Sequence, residues 1–304
     1  MVVVFGSINL DLIFPFAALP AAGETVLTPD IRIEPGGKGA NQALAAARDG
    51  ASVTLVGAVG GDSLAADALV LLRAAQVDMS RVVATDRATG CAAIFVDREG
   101  RNAIGVGSGA NLAARADQLE DGLLTPGTTL VLQMEVAPEE TARLIRRARG
   151  GGARIVLNLA PAAPLDTDAL RMVDVLVLNE GEAAWLAGTL GCASDADGLR
   201  TTLGVTVVRT LGEQGAEAAH PGGVLRMPAP RVDAIDTTGA GDCFTGVLAA
   251  GLDRGLALAP ALARATAAAS LCCTRSGSQA TMPEAAQTDA MLTAPGTALP
   301  RPTR

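Results

Sequence analysis

The stretch DTTGAGD, residues 236–242, follows an apolar, strand-like segment and opens a long helix rich in Ala, Leu and Gly, which we predict over Ala240–Leu252. Small residues at a helix start let backbone N–H groups approach an anion, and the helix dipole favours negative charge there. A strand, a tight turn and a helix in this order form the repeating unit of α/β proteins. The stretch therefore predicts an α/β fold with an anion site at the end of a strand.

The rest of the chain alternates between short β-rich runs and helical stretches, which predicts a doubly wound, mostly parallel sheet. Several predicted strands are continuous apolar runs, as expected when helices cover both faces of the sheet. The predicted strands are Val2–Phe5, Val53–Gly57, Thr129–Met134, Arg154–Asn158, Val173–Leu178 and Val205–Thr210. The other predicted helices are Gln42–Arg48, Leu64–Ala75, Pro138–Arg149, Glu180–Leu190 and Ala259–Cys273.

Two regions interrupt this alternation. Residues 12–34 contain no good helix, and residues 91–107 look like a hairpin around a turn at 97–100. We interpret both as a small β lid that covers a site. Residues 1–293 are expected to form a single α/β domain that carries this lid, and the tail, residues 294–304, is rich in Pro, Gly and Thr and is expected to be flexible.

Composition excludes several classes of protein. Of the 304 residues, 49% are apolar and 18% are charged, which is typical of a globular protein. The net charge of -8 without a basic cluster argues against a nucleic-acid partner. No apolar run approaches a membrane span, and the first residues lack the features of a secretory signal. Five cysteines without a C-x-x-C pair fit a reducing compartment, so we expect a cytoplasmic protein with no membrane contact.

The scarcity of histidine and lysine restricts the chemistry further. The chain has one histidine, His220, and one lysine, Lys38. No nucleophile motif accompanies His220, and a two-histidine metal site is impossible within one chain, so an enzyme would be expected to use a carboxylate as its base. Asp242 fits this role, because it could accept a proton from an attacking hydroxyl while nearby N–H groups hold a phosphoryl group. The alternative is a glycine-rich turn in which Asp242 only complements the helix dipole.

Two further polar segments lie near the start of the chain. In PGGKGAN, residues 35–41, glycines flank the only lysine and suggest a backbone that approaches a polar ligand, although the segment does not match a Walker A loop. In GSINLD, residues 6–11, an extended backbone would point Asn9 and Asp11 to the same face, where they could bind adjacent sugar hydroxyls. The alternatives are a flexible loop before a helix and a polar strand end.

Three other segments carry weaker signals. The carboxylates of NEGE, residues 179–182, could hold Mg²⁺ through water or could only begin a helix. The segment TLGEQG, residues 210–215, joins two β-like runs and could cover a nucleotide or form a hairpin turn. Residues 105–110 fit G-x-G-x-x-A, but they follow the hairpin instead of the first strand of a βαβ unit, so they support an oxidoreductase only weakly.

Taken together, these segments resemble the PfkB-type carbohydrate kinases, and within that family the ribokinases. The resemblance runs from Val3 to about Pro283 and rests on PGGKGAN and DTTGAGD together with GSINLD, IGVGSGAN, LNLAPA, LNEGE, TLGEQG and TRSGSQATMP. It implies a nine-stranded central sheet in a three-layer ribokinase-like fold, with a β lid that often joins two subunits into a homodimer. It also implies phosphoryl transfer from ATP to the 5-hydroxyl of D-ribose, with Mg²⁺ and with activation by K⁺.

The resemblance implies a role for each matching residue. Asp242 would be the base, and Gly239, Ala240 and Gly241 would form the anion hole. The residues that match sugar contacts are Asn9, Asp11, Gly37, Lys38, Asn41, Glu135 and Asp242. The residues that match nucleotide contacts are Asn179, Thr210, Leu211, Gly212, Glu213, Gln214, Gly215, Gly241 and Thr266. Glu182 matches the acid associated with Mg²⁺, and the monovalent-ion loops match, partly through backbone carbonyls, Asp236, Thr238, Cys272, Arg275, Gly277 and Thr281.

Several alternatives stay open at this point. The nearest is another kinase of the same superfamily, acting on deoxyribose, a ketohexose, a ketodeoxy sugar acid or a nucleoside. A second is a sugar-sensing protein that kept the fold and lost catalysis. Thr266 stands where a larger polar residue can meet adenine, so the nucleotide preference is open as well. In the ion loops, Arg275 could pair with Asp236 and leave no room for an ion.

Overall fold

The computed structural model describes residues 1–99 and 101–294, and a nine-stranded sheet forms the centre of this part of the chain. Its strands are β1 Val2–Phe5, β4 Val53–Gly60, β5 Asp78–Thr85, β8 Thr129–Leu132, β9 Arg154–Asn158, β10 Val175–Asn179, β11 Thr206–Thr210, β12 Ala216–His220 and β13 Gly223–Met227. Their order is β13-β12-β11-β10-β9-β8-β1-β4-β5. In this spatial order, all neighbouring strands from β11 to β5 pair in parallel, whereas β12 and β13 continue the sheet in antiparallel pairing.

A smaller sheet of four strands packs beside the first. It is built from β2 Asn9–Pro15, β3 Arg32–Gly36, β6 Gly90–Val96 and β7 Asn102–Gly107, in the order β3-β2-β6-β7. Both regions of the predicted β lid contribute strands to this sheet, although residue 100 of the turn lies outside the described residues. All residues of β7 are exposed, and Ile104 and Val106 lie on one face of it.

Ten helices are found in the described residues. They are α1 Lys38–Arg48, α2 Leu64–Ala68, α3 Val70–Ala74, α4 Pro138–Gly151, α5 Thr167–Leu170, α6 Glu180–Leu190, α7 Ala196–Leu203, α8 Ala240–Asp253, α9 Leu258–Cys272 and α10 Ala285–Thr293. The single helix predicted over Leu64–Ala75 is wrong, because the chain breaks it at Leu69 into α2 and α3. Helix α1 begins four residues before its predicted start, since Gly37, with φ of 88°, ends the glycine-rich turn directly before Lys38.

Helices cover both faces of the central sheet and create two hydrophobic cores. Strand β1 shows why its sequence is apolar throughout: Val2 and Val4 belong to the core that contains residues of α1, α8 and α9, whereas Val3 and Phe5 belong to the core that contains residues of α4, α6 and α7. All four side chains are fully buried. The doubly wound arrangement that the sequence predicts is therefore confirmed.

The sequence prediction failed mainly at the edges of the sheet. It missed β5, β12 and β13, which lie at the two ends of the strand order. Strand β5 mixes exposed and half-buried residues, and β12 contains three alanines, so neither has the apolar run that marks a central strand. The predicted flexible tail, residues 294–304, lies outside the described part of the chain except for Ala294. No helix in the described ranges is long and apolar enough to cross a bilayer.

Candidate active site

The candidate active site lies where the carboxyl ends of several parallel strands meet the starts of α1, α6 and α8. Ligands of open α/β sheets usually bind at this edge, because the loops that follow the strands converge there. Helix α8 supplies Asp242 in its first turn, and α1 supplies Asn41 and Gln42. These residues are about 200 positions apart in the chain, yet their side chains are in direct contact.

The carboxylate of Asp242 is buried and receives one amide donor on each oxygen. Asn41 Nδ2 donates to Oδ2 at 2.9 Å, and Gln42 Nε2 donates to Oδ1 at 3.0 Å. The two amides hold the carboxylate from both of its oxygens. Each oxygen keeps a second acceptor position, so Asp242 can still accept the proton of a substrate hydroxyl.

Backbone N–H groups are available beside this carboxylate. Gly239 caps α8 with φ of 75°, a backbone conformation that a side chain would strain. The N–H groups of Gly239, Gly241 and Asp242 find no acceptor among the described residues, whereas Ala240 donates to Thr237 O at 3.2 Å. A Cβ at Gly241 would meet nothing within 4 Å, so the space in front of this turn is open. The turn can therefore hold an anion next to Asp242.

The lid contributes polar groups that no protein partner satisfies. Asn9 Oδ1 accepts from Asn111 Nδ2 at 2.7 Å, but its own amide nitrogen has no acceptor in the described part of the chain. The Asp11 carboxylate also lacks a donor there, and it lies so close to Gly36 that a Cβ at that glycine would be 2.2 Å from Oδ2. Both side chains project from β2, as predicted, and can bind hydroxyl groups of a ligand.

The charges around Asp11 shift the protonation of this region. Burial raises the pKa of Asp11 to about 7, and the nearby carboxylates of Glu135 and Glu34 add to the shift. The carboxylate of Asp242 raises the pKa of Lys38, so this lysine stays charged despite its burial. One cation therefore faces several carboxylates, and it is the only lysine of the chain.

Glu135 connects the end of β8 with the start of α1. Its Oε2 accepts from Ser7 Oγ at 2.6 Å and from the backbone N–H of Lys38 at 3.1 Å. Gly37 approaches the lid strand so closely that a Cβ there would lie 2.7 Å from the backbone nitrogen of Asn9. The six residues other than Asp242 that the sequence assigns to sugar contacts are thus brought together by β2, by α1 and by the segment after β8.

A cavity of about 860 Å³ opens on the other side of the anion site. Predicted nucleotide contacts that line it are Thr210, Gly212, Glu213, Gln214, Gly215, Gly241 and Thr266. Leu211 does not line it, and its backbone N–H donates to Gly215 O at 2.8 Å, which closes the turn. The segment 210–215 is both a connection between antiparallel strands and a wall of the cavity, so neither of its two interpretations excludes the other.

A smaller cavity of about 120 Å³ adjoins the anion site and is lined by Lys38, Asn179, Glu182 and Asp242, among others. Glu182 and Asn179 form a capping box at the start of α6, where Glu182 Oε2 accepts from the Asn179 N–H at 2.7 Å. Burial raises the pKa of Glu182. The described residues contain no group of three or more metal-ligating side chains. A magnesium ion held mainly by phosphates and water needs only one such carboxylate, so Glu182 fits that chemistry.

Two loops meet behind the anion turn. Asp236 accepts from the N–H groups of Thr238 at 2.9 Å and Gly277 at 3.0 Å. Burial raises the pKa of Asp236, but these hydrogen bonds outweigh it and hold the pKa below its usual value. Cys272 Sγ lies 2.9 Å from the hydroxyl of Thr281, which ties α9 to the second loop.

The alternative ion pair in these loops is not formed. Arg275 is exposed and makes no ion pair within residues 1–99 and 101–294, so it does not close the space beside Asp236. Ser278 Oγ is buried at the junction without a hydrogen-bond partner in the described residues, and a Cβ at Gly239 would lie 2.7 Å from it. An orphaned hydroxyl beside the anion turn fits an oxygen-ligated cation.

The dinucleotide motif at residues 105–110 forms no nucleotide site. Its first residues lie in the exposed lid strand β7, and its last residues lie in a short 3-10 turn, so it does not join a strand to a helix. The dinucleotide interpretation of this segment is therefore wrong.

Sequence reasoning missed several polar residues that hold the site together. They are Ser7, Gln42, Asn111, Gln133, Asn158 and Gln279. Ser7, Asn111, Asn158 and Gln279 lie within the motifs GSINLD, IGVGSGAN, LNLAPA and TRSGSQATMP, and Gln42 directly follows PGGKGAN, so the positions of these five residues carried a signal. Gln133 follows an apolar strand without any such motif, and its role becomes visible only from its contacts.

Comparison with known proteins gives a consistent result. The model of the pfkB family carbohydrate kinases matches residues 1–285. A ribokinase of Bacillus subtilis (strain 168) is 35% identical over 296 residues, which cover 95% of this chain and 98% of that protein. A ribokinase structure from Thermotoga maritima has a TM-score of 0.88 at 28% identity and covers 96% of this chain and 99% of its own. A structure of Arabidopsis thaliana ribokinase complexed with ribose and ATP has a TM-score of 0.86 at 27% identity, over 96% and 98%.

Proposed function

Because this chain belongs to the pfkB family of carbohydrate kinases, we propose that it transfers the γ-phosphoryl group of ATP to the 5-hydroxyl of D-ribose and releases ADP and D-ribose 5-phosphate. The observation that carries the proposal is the position of Asp242. This buried carboxylate lies between the unsatisfied polar groups of the lid and the large cavity, at the start of α8. A sugar hydroxyl and a phosphoryl group can therefore meet beside it.

The residues of the chain divide the work between binding and proton transfer. Asn9, Asp11 and Lys38 bind the sugar hydroxyls and direct the 5-hydroxyl towards Asp242. Asp242 takes the hydroxyl proton as the sugar oxygen forms its bond to the γ-phosphorus, and the bond from that phosphorus to the bridging oxygen of ADP breaks. The N–H groups of Gly239 and Gly241 stabilise the charge on the transferred group. Thr210, residues 212–215 and Thr266 line the large cavity, which we assign to the nucleotide base and ribose.

A divalent and a monovalent cation complete the proposed site. Mg²⁺ would neutralise the charge of the transferred phosphoryl group when bound with ATP, and Glu182 would hold it through water. K⁺ would lie between the Asp236 turn and the loop 275–281, with Thr238, Cys272, Arg275, Gly277 and Thr281 contributing partly through backbone carbonyls. Asp236 already connects these loops by its hydrogen bond from Gly277, so an ion there would stiffen the anion turn.

We also propose that two copies of the chain associate through the lid. Ile33, Ile104 and Val106 of β3 and β7 are each more than half exposed, although they are apolar. Exposed apolar strands of this kind are usually covered by a partner. We further propose that the protein is cytoplasmic and that residues 1–293 form a single domain. We propose no nucleic-acid partner, because the net charge of -8 would repel nucleic acid.

A coupled ADP-release assay over a panel of sugars tests the function. The panel should contain D-ribose, 2-deoxy-D-ribose, D-fructose, a ketodeoxy sugar acid and adenosine, each with ATP and Mg²⁺. We expect the highest kcat/KM with D-ribose, and phosphorus NMR of the product should show a phosphomonoester on carbon 5. If another acceptor has a higher kcat/KM, that acceptor replaces D-ribose as the proposed substrate, but the kinase activity stands. If no acceptor in the panel leads to ADP release, the result favours a sugar-binding protein without catalysis.

A further inference from the structure

Gln42 occupies a buried position next to the proposed base and contacts neither cavity. Its side chain is 0% exposed, and it lines neither the large cavity nor the small one. It follows Asn41 directly on α1, but unlike Asn41 it is not among the expected sugar contacts. An effect of Gln42 on the reaction would therefore have to act through another residue.

The amide of Gln42 uses all of its donors in well-defined hydrogen bonds. Nε2 donates to Asp242 Oδ1 at 3.0 Å and to Asn158 Oδ1 at 3.0 Å, and Oε1 accepts from Gln133 Nε2 at 2.7 Å. The reverse orientation would place Oε1 against two acceptor oxygens. Asn158 cannot reverse without loss either, because its Nδ2 donates to Val177 O at 3.2 Å. The chain of amides thus points one N–H of Gln42 at Asp242.

We propose that Gln42 is a positioning residue for phosphoryl transfer, and that the buried chain Gln133–Gln42–Asn158 fixes the rotamer of Asp242. The inference rests on the proposed function, in which Asp242 is the base. Asn41 holds Oδ2 and Gln42 holds Oδ1, so the plane of the carboxylate is fixed from two sides. The free acceptor positions of Asp242 then face the substrate in a single rotamer. Residues that hold a catalytic group in its reactive orientation support catalysis in this way.

Other charged groups also act on Asp242, and they come from each element packed around it. Lys38 of α1 is attracted to its carboxylate, whereas Asp11 of β2 and Glu182 of α6 are repelled by it. Cys272 of α9 also feels its charge. Substitution of Gln42 leaves all four groups in place, so a change in the pH profile of the variant can be assigned to the lost amide.

The test compares kcat, KM and pH profiles of the full-length chain and its variants with D-ribose, ATP and Mg²⁺. Gln42→Met keeps the length of the side chain but removes both donors. We expect kcat to fall about 10- to 100-fold, the loss of one hydrogen bond to a charged group, with both KM values within about threefold of wild type. The acid limb of the kcat profile should move up by about 1 to 2 pH units, since the ionised carboxylate loses a donor.

Two further variants control for folding. Gln118→Met removes another half-buried amide, whose Nε2 donates to Gly57 O at 2.8 Å and Arg81 O at 2.9 Å, away from both cavities. It should change stability but leave the acid limb unmoved. Gln133→Met frees Oε1 of Gln42 without touching Asp242, and it should shift the limb in the same direction by a smaller amount. If Gln42→Met does not fold, the acid limb of the kcat profile of Gln133→Met tests the positioning role instead.

The outcomes separate this inference from the proposed function. A folded Gln42→Met variant with more than about a third of wild-type kcat and an unmoved acid limb would overturn the positioning role, since the expected loss is at least tenfold. Equal shifts of the acid limb in Gln42→Met and Gln118→Met would overturn the positioning role too, because the effect would then be structural. A wild-type protein that releases no ADP with any sugar would instead refute the proposed function.

Discussion

The replacement Asp242→Asn tests the proposed base while it changes the size of the side chain very little. The amide cannot take a proton from the sugar hydroxyl, so kcat should fall about 10²- to 10⁴-fold, the usual contribution of a positioned base. Ribose binding should survive, because Asn9, Asp11 and Lys38 are unchanged. The loss should therefore appear in kcat and much less in the KM for ribose.

The structure predicts that this variant also loses some stability. In the wild type, Asn41 Nδ2 and Gln42 Nε2 each donate to one oxygen, at 2.9 Å and 3.0 Å. An asparagine at 242 must turn its NH₂ group towards one of these two donors, and one charge-assisted hydrogen bond is lost, which costs about 1.5 to 3 kcal/mol. Stability of a domain is typically about 5 to 15 kcal/mol, so the variant should still fold at 25 °C.

The assay is coupled ADP release at saturating ribose and ATP, together with a thermal melt. Asp253→Asn is the matched control, because Asp253 ends the same helix and its carboxylate accepts from the amino group of Met1 at 3.0 Å. It should lower Tm but keep kcat within about twofold, as expected of a residue away from the reaction. An Asp242→Asn variant with more than about a third of wild-type kcat would refute the assignment of the base.

Four other predictions concern the lid and the ion loops. Asp11→Ala should raise the KM for ribose about 10- to 100-fold and leave the KM for ATP nearly unchanged, and the opposite result would mean that the two cavities are assigned in reverse. Since the pKa of Asp11 is about 7 and only its ionised form is purely an acceptor, the wild-type KM for ribose should fall as the pH rises through this value, and Asp11→Asn should lose that dependence. Light scattering should show a dimer at micromolar concentration and a monomer for Ile104→Asp, whereas a fully active wild-type monomer would exclude the lid interface. KCl should raise initial rates relative to tetramethylammonium chloride at constant total salt, and a flat response would remove the ion from the loops around Asp236 and residues 275–281.

Much of the fold could be predicted because local sequence patterns specify its central strands and helices. Apolar runs such as Val2–Phe5 are buried on both faces, and the doubly wound sheet follows from their alternation with helices. The edge strands β5 and β13 escaped prediction, since an edge strand needs no long apolar run, and β12 escaped because three of its five residues are alanines. The break at Leu69 escaped as well, because Leu64–Ala75 has a continuous helical composition without a Gly or Pro that would mark it.

The sequence by itself determined which chemical groups are available: a single lysine between glycines, a carboxylate in the first turn of a helix, and no pair of histidines. These follow from residue identity and local spacing. The tertiary structure alone decided which groups meet. Asp242 is aimed by Asn41 and Gln42, about 200 residues earlier in the chain, and Asp236 accepts from the Gly277 N–H instead of pairing with Arg275. Hydrogen bonds require partners within about 3 Å and in the right direction, and only the packing of distant helices and loops brings such atoms together.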